Sequence, residues 1–117
     1  MIRICEIDFP EDCTVVRNDF YDYDPARSFN ESDSVKYLDE DLLQCSFPED
    51  NMIIDLGWYG DVTSNKGEFR INLIHHENWE IPLNTIHSKS PEEVKSLLTK
   101  ILQYYSRIEI DTEIDNV

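Results

Sequence analysis

The chain has 117 residues and sets 25 Asp and Glu against 10 Lys and Arg, a net charge of −15. Its length fits one domain with its own core, and two Trp, six Tyr and five Phe argue against disorder. Charge of this size and sign argues against nucleic acid as the partner, because its phosphates would be repelled. It exceeds the magnitude of about 2–8 that keeps a small domain soluble, so it predicts a cationic partner.

Residues 2–9 alternate loosely and predict a strand. Residues 10–34 are rich in Asp, Asn, Ser and Pro, with Phe20, Tyr21, Tyr23 and Phe29 scattered among them. They read as a long irregular excursion with room for one short helix, and such excursions are often functional. Residues 35–40 fit helix or extended chain equally. Leu43, Cys45 and Phe47 then alternate with Gln44 and Ser46, a strand period. Pro48, Asp50 and Asn51 mark a turn. Residues 52–59 read as a buried strand, residues 60–67 as a loop, and residues 68–76 as a strand with Phe69, Ile71 and Leu73 on one face. Glu77-Asn78 is a candidate two-residue turn. Residues 79–87 predict a strand at an edge or with a bulge, because Pro82 lies inside it.

Ser90-Pro91-Glu92-Glu93 is a helix start, with a Ser cap, Pro in the first position and Glu at the third. Val94, Leu97, Leu98, Ile101, Leu102, Tyr105 and Ile108 follow as one apolar stripe that must pack on the sheet. The acidic tail after it alternates Ile with acid, which suits an added edge strand or a frayed end. The expected organisation is one domain over 1–117. It has an acidic, partly irregular segment over 10–42, strands over about 43–87, a helix over about 91–107 and a tail over 109–117. The fold class is α+β, an antiparallel meander of about four strands with a C-terminal amphipathic helix on one face.

Cys5, Cys13 and Cys45 cannot all pair with one another, and no C-x-x-C spacing occurs. They read as reduced thiols of a cytoplasmic protein. The first eight residues carry acids and lack a long apolar run, so no signal peptide is expected. No stretch approaches the roughly 20 apolar residues of a membrane span, so no membrane partner is expected.

His75-His76-Glu77 invites a metal, but neighbours on a strand point to opposite faces and the ligand set is incomplete. A calcium loop begun at Asp39 would put Gln44 where Gly belongs and end on Asp50 rather than Glu, a poor match. With no Gly-rich phosphate loop and no G-x-S-x-G run, neither a cofactor nor an enzyme activity is expected. Trp58 and Trp79, at strand ends, are expected to pack in the core.

Asp19, Tyr21, Asp22, Tyr23 and Asp24 interleave aromatic rings with carboxylates. Tyr offers rigid amphipathic area and Asp offers acceptors for Arg and Lys, the properties of a surface facing a basic protein. The competing reading is that Phe20 and one Tyr plug the core while the acids are merely solvated. Asp39, Glu40 and Asp41 form the second candidate patch. The first 50 residues hold 14 acids against 4 bases, so both patches lie where the charge is concentrated.

Three runs then stand out: Asp55-Leu56-Gly57-Trp58-Tyr59, Gly67-x-Phe69-Arg70-Ile71-x-Leu73-Ile74 and Asn78-Trp79-Glu80-x-Pro82-Leu83, followed by the capped helix. Over residues 52–107 this pattern resembles small immunity proteins encoded beside bacterial polymorphic toxins, including those of contact-dependent growth inhibition. The resemblance implies a non-enzymatic cytoplasmic protein that binds one cognate basic toxin domain, one to one. Many such toxins are nucleases with basic clefts, which an acidic protein can occupy. The alternatives are an acidic mimic of nucleic acid that binds a basic host protein, and a small metal-dependent enzyme using His75 or His76 with carboxylates.

Overall fold

Alternation in the sequence builds the sheet. In a computed structural model that describes residues 1–27, 29–61 and 66–108, five strands pair antiparallel in chain order. They are β1 (Thr14–Asn18), β2 (Leu43–Phe47), β3 (Met52–Asp61), β4 (Lys66–His75) and β5 (Asn84–Ser88). A short helix α1 (Glu31–Tyr37) precedes β2, and α2 (Pro91–Tyr105) follows β5. This is the expected α+β meander with its C-terminal helix, enlarged by one strand.

Register places the apolar positions on one face. Leu43 faces Leu56 and Leu56 faces Ile71; Cys45 faces Ile54 and Ile54 faces Leu73; Trp58 faces Phe69. All are buried in one cluster with Val94, Leu98 and Leu102 of α2. Each fully buried aliphatic side chain contributes roughly 1.5–3 kcal/mol. Ser90 Oγ accepts the Glu93 N–H at 3.2 Å and caps α2 at its start. Beyond its end, Asp12 accepts from Ser106 Oγ at 2.9 Å and from the Arg107 N–H at 2.7 Å. Those bonds, the Arg107 backbone first, hold the Asp12 carboxyl below its ordinary pKa.

Several expectations need correction. Residues 2–9 form no strand; the segment makes one bridge, Ile4 to Tyr21, with Cys5 N–H donating to the Phe20 carbonyl at 2.8 Å. β1 arises inside the segment read as irregular. Its Val15 and Val16 are exposed, so pairing with β2 rather than burial of a face holds it. Residues 60 and 61 extend β3 and residues 66 and 67 extend β4, because Gly60 and Gly67 lie opposite each other. A Cβ on Gly60, which sits at φ 128°, would meet Gly67 Cα at 2.5 Å.

The turn after β4 is centred on His76 and Glu77, both left-handed at φ 55° and 57°. Residues 79–83 are not a strand, and β5 begins only after Pro82, which has no N–H for a ladder. Trp79 is therefore not in the core: it is 48% exposed, beside exposed Ile81 and Leu83. Trp58 does pack in the core, edge-on to Phe69 at 5.0 Å. α2 ends at Tyr105 and leaves Ile108 exposed beyond it. The expected tail over 109–117 lies outside the described residues.

Candidate functional site

The helix covers one face of the sheet; on the other, Asp55 and Ile74 are buried while Arg17, Gln44, Asn72 and Thr85 are at least partly exposed. Register aligns Arg17, Gln44, Asp55, Asn72 and Thr85 in a single row across all five strands of that open face. Thr85 Oγ1 donates to Asn72 Oδ1 at 2.8 Å, and the Asn72 side chain in turn hydrogen-bonds Asp55. Asp55 is only 8% exposed. Among the described residues no cation comes within ion-pair distance of it. Burial first, and then Asp41, push its carboxyl pKa up to about 6, while Arg17 and Asn72 pull the other way.

A second group flanks the row. Arg70 lies over the Tyr59 ring at 4.8 Å, a cation–π contact, and its Nε donates to Glu68 Oε2 at 2.9 Å. His87, opposite Arg70 in the register, also binds Glu68 through Nδ1. His87 and then Arg70 hold the Glu68 carboxyl below its usual range. Burial, then Asp55 and Glu40, raise the Tyr59 phenol.

The Asp39–Glu40–Asp41 patch borders this face for a backbone reason. Leu42 N–H donates to the Leu56 carbonyl at 3.0 Å, and Trp58 N–H donates to the Asp39 carbonyl at 2.7 Å. Residues 40 and 41 are looped out between those bonds. The chain crosses directly over Gly57, where a Cβ would lie 2.3 Å from the Glu40 carbonyl oxygen. Asp39 Oδ1 accepts the Asp41 N–H at 2.6 Å, and Asp41 pairs with Arg17 at 3.7 Å. All three acids are exposed.

The other acidic segment is mostly consumed by the fold. Phe20 is fully buried, edge-on to Phe69 at 5.8 Å. Tyr23, expected on the binding surface, is 4% exposed and is a structural residue. Its hydroxyl accepts the Asn30 N–H at 3.0 Å and shares a bond with Ser34 Oγ at 2.8 Å, which fixes the start of α1. Tyr21 is half-buried against Tyr37, with ring centroids 4.9 Å apart. Asp22 accepts the Arg3 N–H at 2.9 Å, and Asp24 accepts the Ala26 N–H at 3.0 Å. Both line a cleft of about 410 Å³ shared with Arg3, Arg27 and Lys95, on the helix side of the sheet. Asp19 is exposed, and its N–H donates to the Leu42 carbonyl at 2.6 Å. Asp22 and Asp24 therefore meet bases of their own chain, whereas Asp19 lies beside Leu42, next to the second patch.

The His75 and His76 rings lie 3.9 Å apart, since the left-handed turn at His76 ends the strand alternation. His87 engages Glu68 instead of joining them. Among the described residues, no three His, Cys, Asp or Glu cluster in a way that could hold a metal ion. No helix among them is long and apolar enough to cross a membrane.

The fold and the site define an α+β domain whose sheet is packed on one face and offers a polar, acid-bordered surface on the other. A scan against protein-family models and searches of curated proteins and of solved structures found no match to the chain.

Proposed function

We propose that this protein is an immunity protein: a cytoplasmic, non-enzymatic inhibitor that binds a cognate basic toxin domain one to one, with nuclease toxins the best-suited class. The observation that supports it most is the open sheet face. It carries Asp55, a shielded carboxylate with no cation within ion-pair distance among the described residues, bordered by exposed Glu40 and Asp41. A carboxylate held this way costs folding stability, and a guanidinium or ammonium group from a partner would offset the cost. Tyr59 and Arg70 stand beside it, residue types that dominate binding energy at protein interfaces. Net charge of −15 adds steering toward a basic surface.

The test is affinity capture from the native cell with tagged protein as bait, identification of bound proteins by mass spectrometry, and a repeat wash at high salt. Recovery of one basic toxin domain at equal stoichiometry, weakened by salt, is expected. Recovery of a housekeeping nucleic-acid-binding protein would transfer the reading to a mimic of nucleic acid. A clean lane at low salt would count against both.

A further inference from the structure

Two of the three cysteines meet. Val15 faces Cys45 across β1 and β2, so Cys13, two residues before Val15, is the diagonal neighbour of Cys45 on the same face. Both pack in the same apolar cluster. The two thiols are near enough to shift each other's titration, and the Ser46 backbone acts on Cys13 as well. The two sites are unequal: Cys45 is fully buried and Cys13 only partly. Cys45, and then the Ser46 backbone, lower the Cys13 pKa, whereas Cys13 and burial raise that of Cys45. Cys5 stands apart, buried beside Asp22, with its pKa pushed up to about 11.

We infer that Cys13 and Cys45 form an oxidation site, at which a peroxide converts Cys13 to a sulfenic acid and Cys45 resolves it as an intrachain disulfide. A partly exposed thiol with a lowered pKa, beside a second thiol that can resolve it, is the arrangement that such chemistry needs. In the first step the Cys13 thiolate attacks hydrogen peroxide. A sulfur–oxygen bond forms, the O–O bond breaks, and the departing hydroxide leaves as water with the proton Cys13 gave up. In the second step Cys45 sulfur attacks the sulfenic sulfur. The S–S bond forms, the S–O bond breaks, and hydroxide leaves as water with the Cys45 proton. The thiols are oxidised by two electrons and the peroxide is reduced to two waters.

The fold leaves room for that bond. Diagonal strand neighbours sit wider than the Cβ separation of about 3.5–4.5 Å in a disulfide, so Cys13 must move toward β2. It precedes an edge strand that pairs with β2 alone and already carries an irregularity between Val15 and Arg17. The bond would fasten β1, and with it Arg17, the residue that holds Asp41 at the border of the open face. It does not depend on the identity of any partner.

The experiment treats the reduced, reductant-free protein with a small excess of hydrogen peroxide, alkylates it, and maps its peptides without reduction. The monomer is expected to lose about 2 Da, to yield a linked Cys13–Cys45 peptide, and to keep Cys5 alkylatable. In Cys45→Ser, Cys13 is expected to accumulate as a sulfenic acid that dimedone traps. A Cys13 sulfinic acid with Cys45 still alkylatable would overturn the inference. So would a disulfide through Cys5 or between two chains, or survival of all three thiols.

Discussion

Replacing Asp55 by Asn keeps the shape of the side chain and its bonding capacity toward Asn72 while removing the charge. The ordinary carboxyl pKa is 3.8, and the folded one is about 6. The folded chain therefore holds the proton more tightly than the unfolded chain. Stability from the protonated carboxyl is fully present below pH 3.8 and is lost as the pH rises through about 6. Once both states are ionised the loss amounts to about 3 kcal/mol. Asp55→Asn escapes that loss. Its stability gain over the natural chain is expected to grow from about 1 kcal/mol at pH 4.5 to about 2–3 kcal/mol at pH 7.5. The upper value corresponds to a midpoint rise of about 12 °C for a domain of this size. Urea unfolding followed by Trp fluorescence across that pH range measures it. A less stable variant at pH 7.5, or a gain that does not change with pH, would refute the reasoning about Asp55.

Gly57→Ala places a methyl where the Glu40 carbonyl lies and is expected to cost about 2–3 kcal/mol by chemical denaturation, with the 39–41 crossover displaced. Tyr23→Phe removes the hydroxyl that Asn30 and Ser34 use, so a loss of about 1–2 kcal/mol in stability is expected, with partner affinity unchanged. A change in affinity greater than in stability would return Tyr23 to the binding surface. Glu77→Gly relieves a left-handed residue of about 1–2 kcal/mol of strain and gives back about half through chain entropy. A net rise in the thermal midpoint is expected, and a fall would mean that the Glu77 side chain holds the turn.

What the sequence makes legible is what one short window can specify. Ser90, Pro91 and the stripe from Val94 to Leu102 identify α2, alternation identifies β2 and the core of β4, and a nearly continuous apolar run identifies the core of β3. β1 escapes because Val15 and Val16 are neighbours rather than alternating, and the strand exists through its pairing with β2. Residues 79–83 mislead in the opposite sense. Trp79, Ile81 and Leu83 alternate as a strand would, but Pro82 interrupts the ladder and all three stay exposed. The open face is the least legible part. Arg17, Gln44, Asp55, Asn72 and Thr85 are far apart in the chain, and only the register of four strand pairs brings them into a row. Composition correctly singles out Asp39, Glu40 and Asp41 as exposed acids but gives no sign that Gly57 lets them border that face.

Binding of a basic partner to the open sheet face is the step on which the proposed inhibition rests. Its most direct test is titration calorimetry of the captured partner against three forms of the protein: natural, Glu40→Lys/Asp41→Lys, and Asp22→Lys/Asp24→Lys. All four acids are at least partly exposed, so the substitutions leave the core intact. Reversal at Glu40 and Asp41 is expected to weaken binding by about 2 kcal/mol or more, roughly thirtyfold in Kd. Reversal at Asp22 and Asp24 is expected to change it by less than about 1 kcal/mol, within fivefold. The opposite order would move the interface to the cleft beside α2 and rule out the open face as the binding surface.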